Sequence, residues 1–198
     1  MFFKPKLNFL VISDIHHPLK RLPTKEELKK IDVCLILGDV PKDIILQFQN
    51  ILSCEIYGVL GNHDTYDTFK ETKVIDLNGK TVNIKGLKIG GIEGSCKYKA
   101  NSPYVMHTHT ESVNISKELD KDINILISHE SPYCKYTYAA NKCGLLGVSS
   151  VILKNKPFMA LHGHHHVNDQ YQIDKTECFC LYRVNIVNTK GCVKHLDV

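Results

Sequence analysis

Five short stretches of this chain carry side chains suited to holding metal ions. They are Asp14-Ile15-His16, Gly38-Asp39, Gly61-Asn62-His63-Asp64, His129 and Gly163-His164-His165-His166. Imidazole, carboxylate and amide donors suit manganese, iron, zinc, nickel or cobalt better than magnesium or calcium, whose sites are all oxygen. Residues two apart in an extended segment share a face. Asp14 and His16 are therefore expected to hold one ion together. His164 and His166 are expected to face the metal, with His165 turned away. Singly each motif is weak: Asp39 reads as a turn acid, Asn62 as a turn residue and His129 as a satisfied core histidine. Their order and placement make the set specific.

Each stretch sits just past a short apolar run. Leu7–Ile12 stops at Ser13-Asp14, Val33–Leu37 at Gly38-Asp39, and Ile56–Leu60 at Gly61-Asn62. Ile123–Ile127 stops at Ser128-His129, and Phe158–Leu161 at His162-Gly163. Runs of this length between turn residues read as buried strands. Helical patterns fall between them. Thr24 caps a predicted helix to Lys30 with Glu27 as its capping-box partner. Ile44–Leu52 is a second, and Ser116–Leu119 and Leu145–Leu153 are weaker ones. Strands alternating with helices predict an α/β architecture. In open α/β sheets ligands bind beyond the carboxyl ends of strands, so five strand ends would bring donors to a common rim. The middle differs: Val74–Ile75, Thr81–Ile84 and Leu87–Ile92 read as strands joined by hairpin turns at Asn78-Gly79 and Lys85-Gly86. From about Gln170 onward the pattern is again of strands, with turns near Asp174 and Lys190-Gly191.

Taken in order, the set resembles the calcineurin-like metallophosphoesterase superfamily, whose pattern is D-x-H, G-D, G-N-H-D/E, H and G-H-x-H. The match runs from Asp14 to His166. The resemblance implies an α/β four-layer sandwich, two mixed β-sheets packed face to face and flanked by helices. It implies two divalent transition-metal ions, manganese first among the candidates. Asp14, His16, Asp39 and His166 would bind one; Asp39, Asn62, His129 and His164 would bind the other, with Asp39 bridging. His63 would sit over the site to protonate the leaving oxygen or stabilise the transition state, and Asp64 would orient its imidazole. Two ions about 3.5–4 Å apart can clamp an in-line displacement at phosphorus and turn a bound water into the attacking hydroxide. The implied function is hydrolysis of phosphate esters, phosphodiesters ahead of monoesters, with nucleic acid only as a possible substrate. The alternatives are a phosphomonoesterase or nuclease of the same fold, or a non-catalytic protein-binding scaffold. A scaffold is expected to lose site residues, and this chain keeps them. Two positions depart from the family pattern: Lys42 and His17 stand where Asp and Gly are frequent. Gly38-Asp39 continues as Val40-Pro41-Lys42, which argues against the protein-phosphatase branch.

The bulk properties set bounds. At 198 residues, 43% hydrophobic and 23% charged, the chain is expected to form one domain over 1–198. The formal charge of +4 suits an anionic substrate without a basic run of nucleic-acid-binding length. Eight cysteines lack any C-x-x-C pair and any secretory leader, so the thiols are expected to be reduced fillers in a cytoplasmic protein. No stretch is apolar over a membrane-spanning length, and a monomer or homodimer is expected. His107-Thr108-His109 mimics H-x-H but reads as a surface loop. His17, His162 and His165 adjoin ligands and are candidates for fixing ligand orientation, His162 foremost. His195 reads as an exposed tail residue. Ser131–Tyr136 is either a solvated loop or part of the substrate rim, with Lys135 or a tyrosine hydroxyl meeting phosphate.

Overall fold

Strand residues point alternately to opposite faces, and here both faces are apolar. A computed structural model of the chain describes residues 5–100, 102–135 and 143–198; residues 1–4, where the leader reading begins, and Tyr136 lie outside them. In chain order the elements are β1 (Asn8–Ser13), α1 (Lys25–Leu28), β2 (Val33–Ile36), α2 (Lys42–Ile51), β3 (Ile56–Gly58), β4 (Val74–Asp76), β5 (Thr81–Ile84) and β6 (Leu87–Ile92). They continue with β7 (Ser95–Cys96), β8 (Met106–His107), α3 (His109–Glu118), β9 (Ile125–Ser128), α4 (Leu146–Asn155) and β10 (Met159–His162). The last are β11 (Asp169–Ile173), β12 (Thr176–Cys180), β13 (Arg183–Asn188) and β14 (Val193–His195).

One six-stranded sheet has the order β14-β13-β1-β2-β3-β4, the other β11-β12-β10-β9-β6-β5. The central strands of both run parallel. In the first sheet β13 and β14 are antiparallel additions; in the second, β5 and β11 are. Phe9, Val11, Val33 and Leu35 face Ile125, Ile127, Met159 and Leu161 in the core between the sheets. Their neighbours Leu10, Ile12, Cys34 and Ile36 face outward and pack on Ile44, Ile45 and Phe48 of α2. Leu126 and Ala160 do the same against Val148, Val151 and Ile152 of α4. Each fully buried side chain of this size contributes about 1.5–3 kcal/mol. The result is the expected four-layer α/β sandwich of two mixed sheets between helices.

Three local expectations need correction. Asn78-Gly79 is not a hairpin turn, because β4 belongs to the first sheet and β5 to the second. The turn carries the chain across, and the Gly79 N–H donates to the Gly91 carbonyl (3.0 Å). Lys85-Gly86 does close a hairpin, with both residues at positive φ (49° and 88°) as a primed turn requires. The His107–His109 stretch is not a surface loop: His107 lies in β8 and His109 opens α3. Thr108 and Glu111 form a full capping box there. His195 is exposed but ordered in β14, with its ring hydrogen-bonded to the Asn185 side chain. Among the described residues, no helix is long and apolar enough to cross a membrane.

Candidate metal centre

Loops from both sheets are laced together at the carboxyl ends of their strands. The Asp14 N–H donates to the Gly38 carbonyl (3.1 Å), and the Gly163 N–H to the His129 carbonyl (3.1 Å). The His63 N–H donates to Asp39 Oδ1 (2.7 Å). Asp14 Oδ2 accepts from the Ser13 hydroxyl (2.5 Å) and from the His164 N–H (2.9 Å), which ties the β1 loop to the β10 loop. Two glycines permit this closeness. A Cβ on Gly38 would meet His129 Nδ1 at 2.8 Å, and one on Gly163 would meet Asp14 Oδ2 at 2.5 Å.

The backbone here is not extended, as the two-apart argument assumed. Asp14 (φ 54°), Asp39 (54°), His164 (69°) and His166 (53°) all occupy the left-handed region. Such residues cost roughly 1–3 kcal/mol each and gather at functional sites. Sharp turns, rather than strand alternation, bring the side chains together. His165 is correspondingly not turned out to solvent: its Nε2 lies 3.5 Å from buried Glu130 Oε1.

The donors form two groups that meet at Asp14. In one, His166 Nε2 lies 3.4 Å and His16 Nε2 3.8 Å from Asp14 Oδ1, with the two ring nitrogens 3.0 Å apart. In the other, Asp14, Asp39 and His129 converge. His129 Nε2 sits 3.4 Å from Asp39 Oδ2, 2.9 Å from Asn62 Oδ1 and 3.2 Å from His164 Nδ1. All seven donors predicted from sequence are therefore brought to one place. Asp14, rather than Asp39, belongs to both carboxylate–histidine groups.

Two features fit this cradle to cations. Asp14 Oδ1 and Asp39 Oδ2 are buried and, among the described residues, have no hydrogen-bond partner. A buried carboxylate oxygen left so costs several kcal/mol in order of magnitude unless a charge satisfies it. Second, imidazole nitrogens crowd together, His16 Nε2 and His166 Nε2 at 3.0 Å and His129 Nε2 and His164 Nδ1 at 3.2 Å. His129 Nδ1 lies 2.8 Å from the Leu37 carbonyl and donates to it, which leaves Nε2 for a cation. Burial alone would strip a proton from His129, but the Asp39 carboxylate beside it outweighs burial and holds that proton. In return His129 keeps Asp39 ionised against its own burial. A proton thus stands where an ion would bind.

The remaining neighbours divide by role. The His63 ring is exposed at the mouth, its centroid 5.5 Å from that of His16. Asp64 does not orient that ring by hydrogen bonding. Its buried Oδ2 accepts the N–H groups of Asp39 (2.8 Å) and Gly61 (2.7 Å) and so holds two loops in register. Burial pushes its carboxyl up to about 6. His162 is buried, with Nε2 2.7 Å from the Tyr171 hydroxyl. Burial, reinforced by nearby His165, lowers it to about 3. His17 and Lys135 are exposed. Glu130 is the residue sequence reasoning missed. Its carboxylate lies 3.4 Å from His164 Nε2 and 3.5 Å from His165 Nε2. An acid directly after the expected ligand His129 was the available signal. Tyr182, stacked on His166 with centroids 5.4 Å apart, left no signal, because only the fold joins them.

Cys96 and Cys143 are joined by a disulfide, contrary to the expectation of reduced thiols throughout. Cys34, Cys178 and Cys180 are buried fillers as expected. The Cys96–Cys143 pair borders a cleft of about 380 Å³ whose wall also includes Lys97, Glu130, His164 and His165.

A family model described as calcineurin-like phosphoesterase matches residues 7–168. No curated protein sequence matches the chain. Among solved structures it is similar to phosphopantetheinyl hydrolase from Mycobacterium tuberculosis, with 14% identity, 88% of each chain covered and a TM-score of 0.55. It is also similar to vacuolar protein sorting 29 from Cryptosporidium parvum, with 15% identity, 94% of this chain and 86% of that one covered and a TM-score of 0.53. A novel archaeal phosphodiesterase shares 16% identity over 97% of this chain and 100% of its own, with a TM-score of 0.50. At such identities the structural likeness establishes the fold alone.

Proposed function

The chain belongs to the calcineurin-like phosphoesterase family, and from that premise we propose that it is a phosphodiesterase using two divalent transition-metal ions. The observation that carries this reading is the pair of orphaned buried carboxylate oxygens on Asp14 and Asp39 amid histidine nitrogens. Asp14, His16, Asp39 and His166 would hold one ion; Asp39, Asn62, His129 and His164 the other. Manganese is the first candidate by donor type, ahead of iron, zinc, nickel and cobalt. When bound, such ions neutralise phosphoryl charge and acidify water.

The chain's own residues do the rest. Gly38 and Gly163 let loops of the two sheets close on each other. Asp64 keeps the Asp39 and Gly61 turns together. His63, exposed at the mouth, would give a proton to the departing ester oxygen. Diesters are favoured because His16, His63 and His166 are all solvent-accessible, so both ester arms can extend outward. The positive net charge suits an anionic ester, nucleic acid included as a possible substrate, and we place the protein in the cytoplasm as a monomer or homodimer.

The test is hydrolysis of an aryl phosphodiester and the matching monoester by metal-free protein, with manganese, nickel, cobalt, zinc and magnesium added separately. Metal-dependent diester cleavage absent from Asp39→Asn is the expected result. No turnover with any metal, in protein that still binds two ions, would instead favour the scaffold reading.

A further inference from the structure

Among the described residues, one more set of donors converges outside the metal centre. Cys96 ends β7, His109 opens α3, and Cys143 lies before α4. The two sulfurs and a ring nitrogen of His109 all fall within 4.8 Å of one another. The Cα atoms of the cysteines are 6.3 Å apart. His109 is held there by the Thr108–Glu111 capping box and by Tyr133, whose ring meets the imidazole edge-on at 5.6 Å. Its Nδ1 is buried and, among the described residues, has no hydrogen-bond partner. The disulfide accounts for the two sulfurs. It does not account for a third donor beside them with nothing to bond.

We propose that, when reduced, Cys96, Cys143 and His109 form a separate zinc site. Thiolate and imidazole together select zinc, whereas the carboxylate and imidazole set of the main centre contains no sulfur. Two thiolates also balance the charge of a divalent ion, which suits a site where Cys96 and His109 are partly buried. Three protein donors leave a tetrahedral ion one position for water. Reduction of the Cys96–Cys143 bond by a thiol or phosphine takes up two electrons and two protons and leaves two thiols. Zinc capture then releases those two protons. The consequence is structural: the ion joins the β7 strand, the start of α3 and the segment before α4. Of these, the β7 strand and the segment before α4 border the cleft that reaches His164.

The test uses full-length protein, stripped of metal and reduced with a phosphine. Cobalt(II) serves as the spectroscopic stand-in for zinc. The expected result is an intense thiolate-to-cobalt charge-transfer band. It should persist in Asp39→Asn, weaken and shift in His109→Ala, and vanish in Cys96→Ser/Cys143→Ser, which binds one zinc fewer per chain. A second measurement needs no variant. In wild-type protein, zinc should slow alkylation of Cys96 and Cys143, read by peptide mass, by at least about tenfold. Absence of the charge-transfer band from reduced protein, unchanged zinc stoichiometry in the double serine variant, or alkylation at the same rate with and without zinc would each overturn the proposal. Because Asp39→Asn leaves these donors intact, failure here is distinguishable from failure of the phosphoesterase reading.

Discussion

Glu130 Oε2 lies 3.4 Å from His164 Nε2, while the other nitrogen of that ring faces His129 Nε2 at 3.2 Å. The carboxylate therefore holds the outer edge of a histidine whose inner edge looks into the metal cradle. Glu130 is buried and kept ionised against that burial by His165 and His164. Such carboxylate–histidine pairs fix ring orientation and raise ligand basicity. We expect Glu130→Gln to weaken binding of the ion at His164 by roughly 10–100-fold. Isothermal titration with manganese checks this. An affinity equal to wild type would show that Glu130 serves only the fold.

His63 is exposed and touches no predicted ligand through a hydrogen bond of its ring. His63→Gln is expected to keep both ions and lower turnover about 10²–10⁴-fold, the usual worth of a positioned proton donor. The loss should shrink for an aryl ester whose leaving group needs no proton. Loss of bound metal in this variant would contradict the role.

Gly163 sits against Asp14, where an added Cβ would meet Oδ2 at 2.5 Å. Gly163→Ala must push apart the β1 and β10 loops. A destabilisation of about 1–3 kcal/mol is expected, as for overpacked interiors, together with weaker metal binding. Denaturant melts and metal titration on the same sample read both effects.

His162 is neutral in the fold, lowered to about 3 by burial first and by His165 second. The unfolded chain, with an ordinary histidine near 6.5, binds the proton more readily. Its contribution is therefore complete above about pH 6.5 and is lost as pH falls toward 3, at up to about 1.4 kcal/mol per pH unit. Metal-free protein should melt at steadily lower temperature between pH 7 and pH 4. His162→Gln, able to keep the bond to the Tyr171 hydroxyl, should flatten that slope. An unchanged slope would remove His162 as its source.

Much of the site was legible before any fold was known. Asp14, Asp39, Asn62, His129 and His164 each follow an apolar run, and a chain leaving a buried strand must surface at its end. Asp64 and Glu130 were harder. The first looked like a partner for His63 and instead accepts the backbone of Asp39 and Gly61; backbone partners leave no trace in side-chain spacing. The α3 helix was misjudged because its apolar pattern is sparse, although Thr108 and Glu111 at N-cap and N3 spelled out its start.

The sequence by itself determined which residues are buried strand, which donors cap them and in what order they come, because apolar runs and turn residues act locally. Only the tertiary structure decided that Asn78-Gly79 crosses between sheets, that Asp14 joins both donor groups, and that Cys96, His109 and Cys143 meet. These depend on how two sheets stack and on four residues forced into the left-handed region. Both are set by long-range packing, which outweighs the local preference of any single residue.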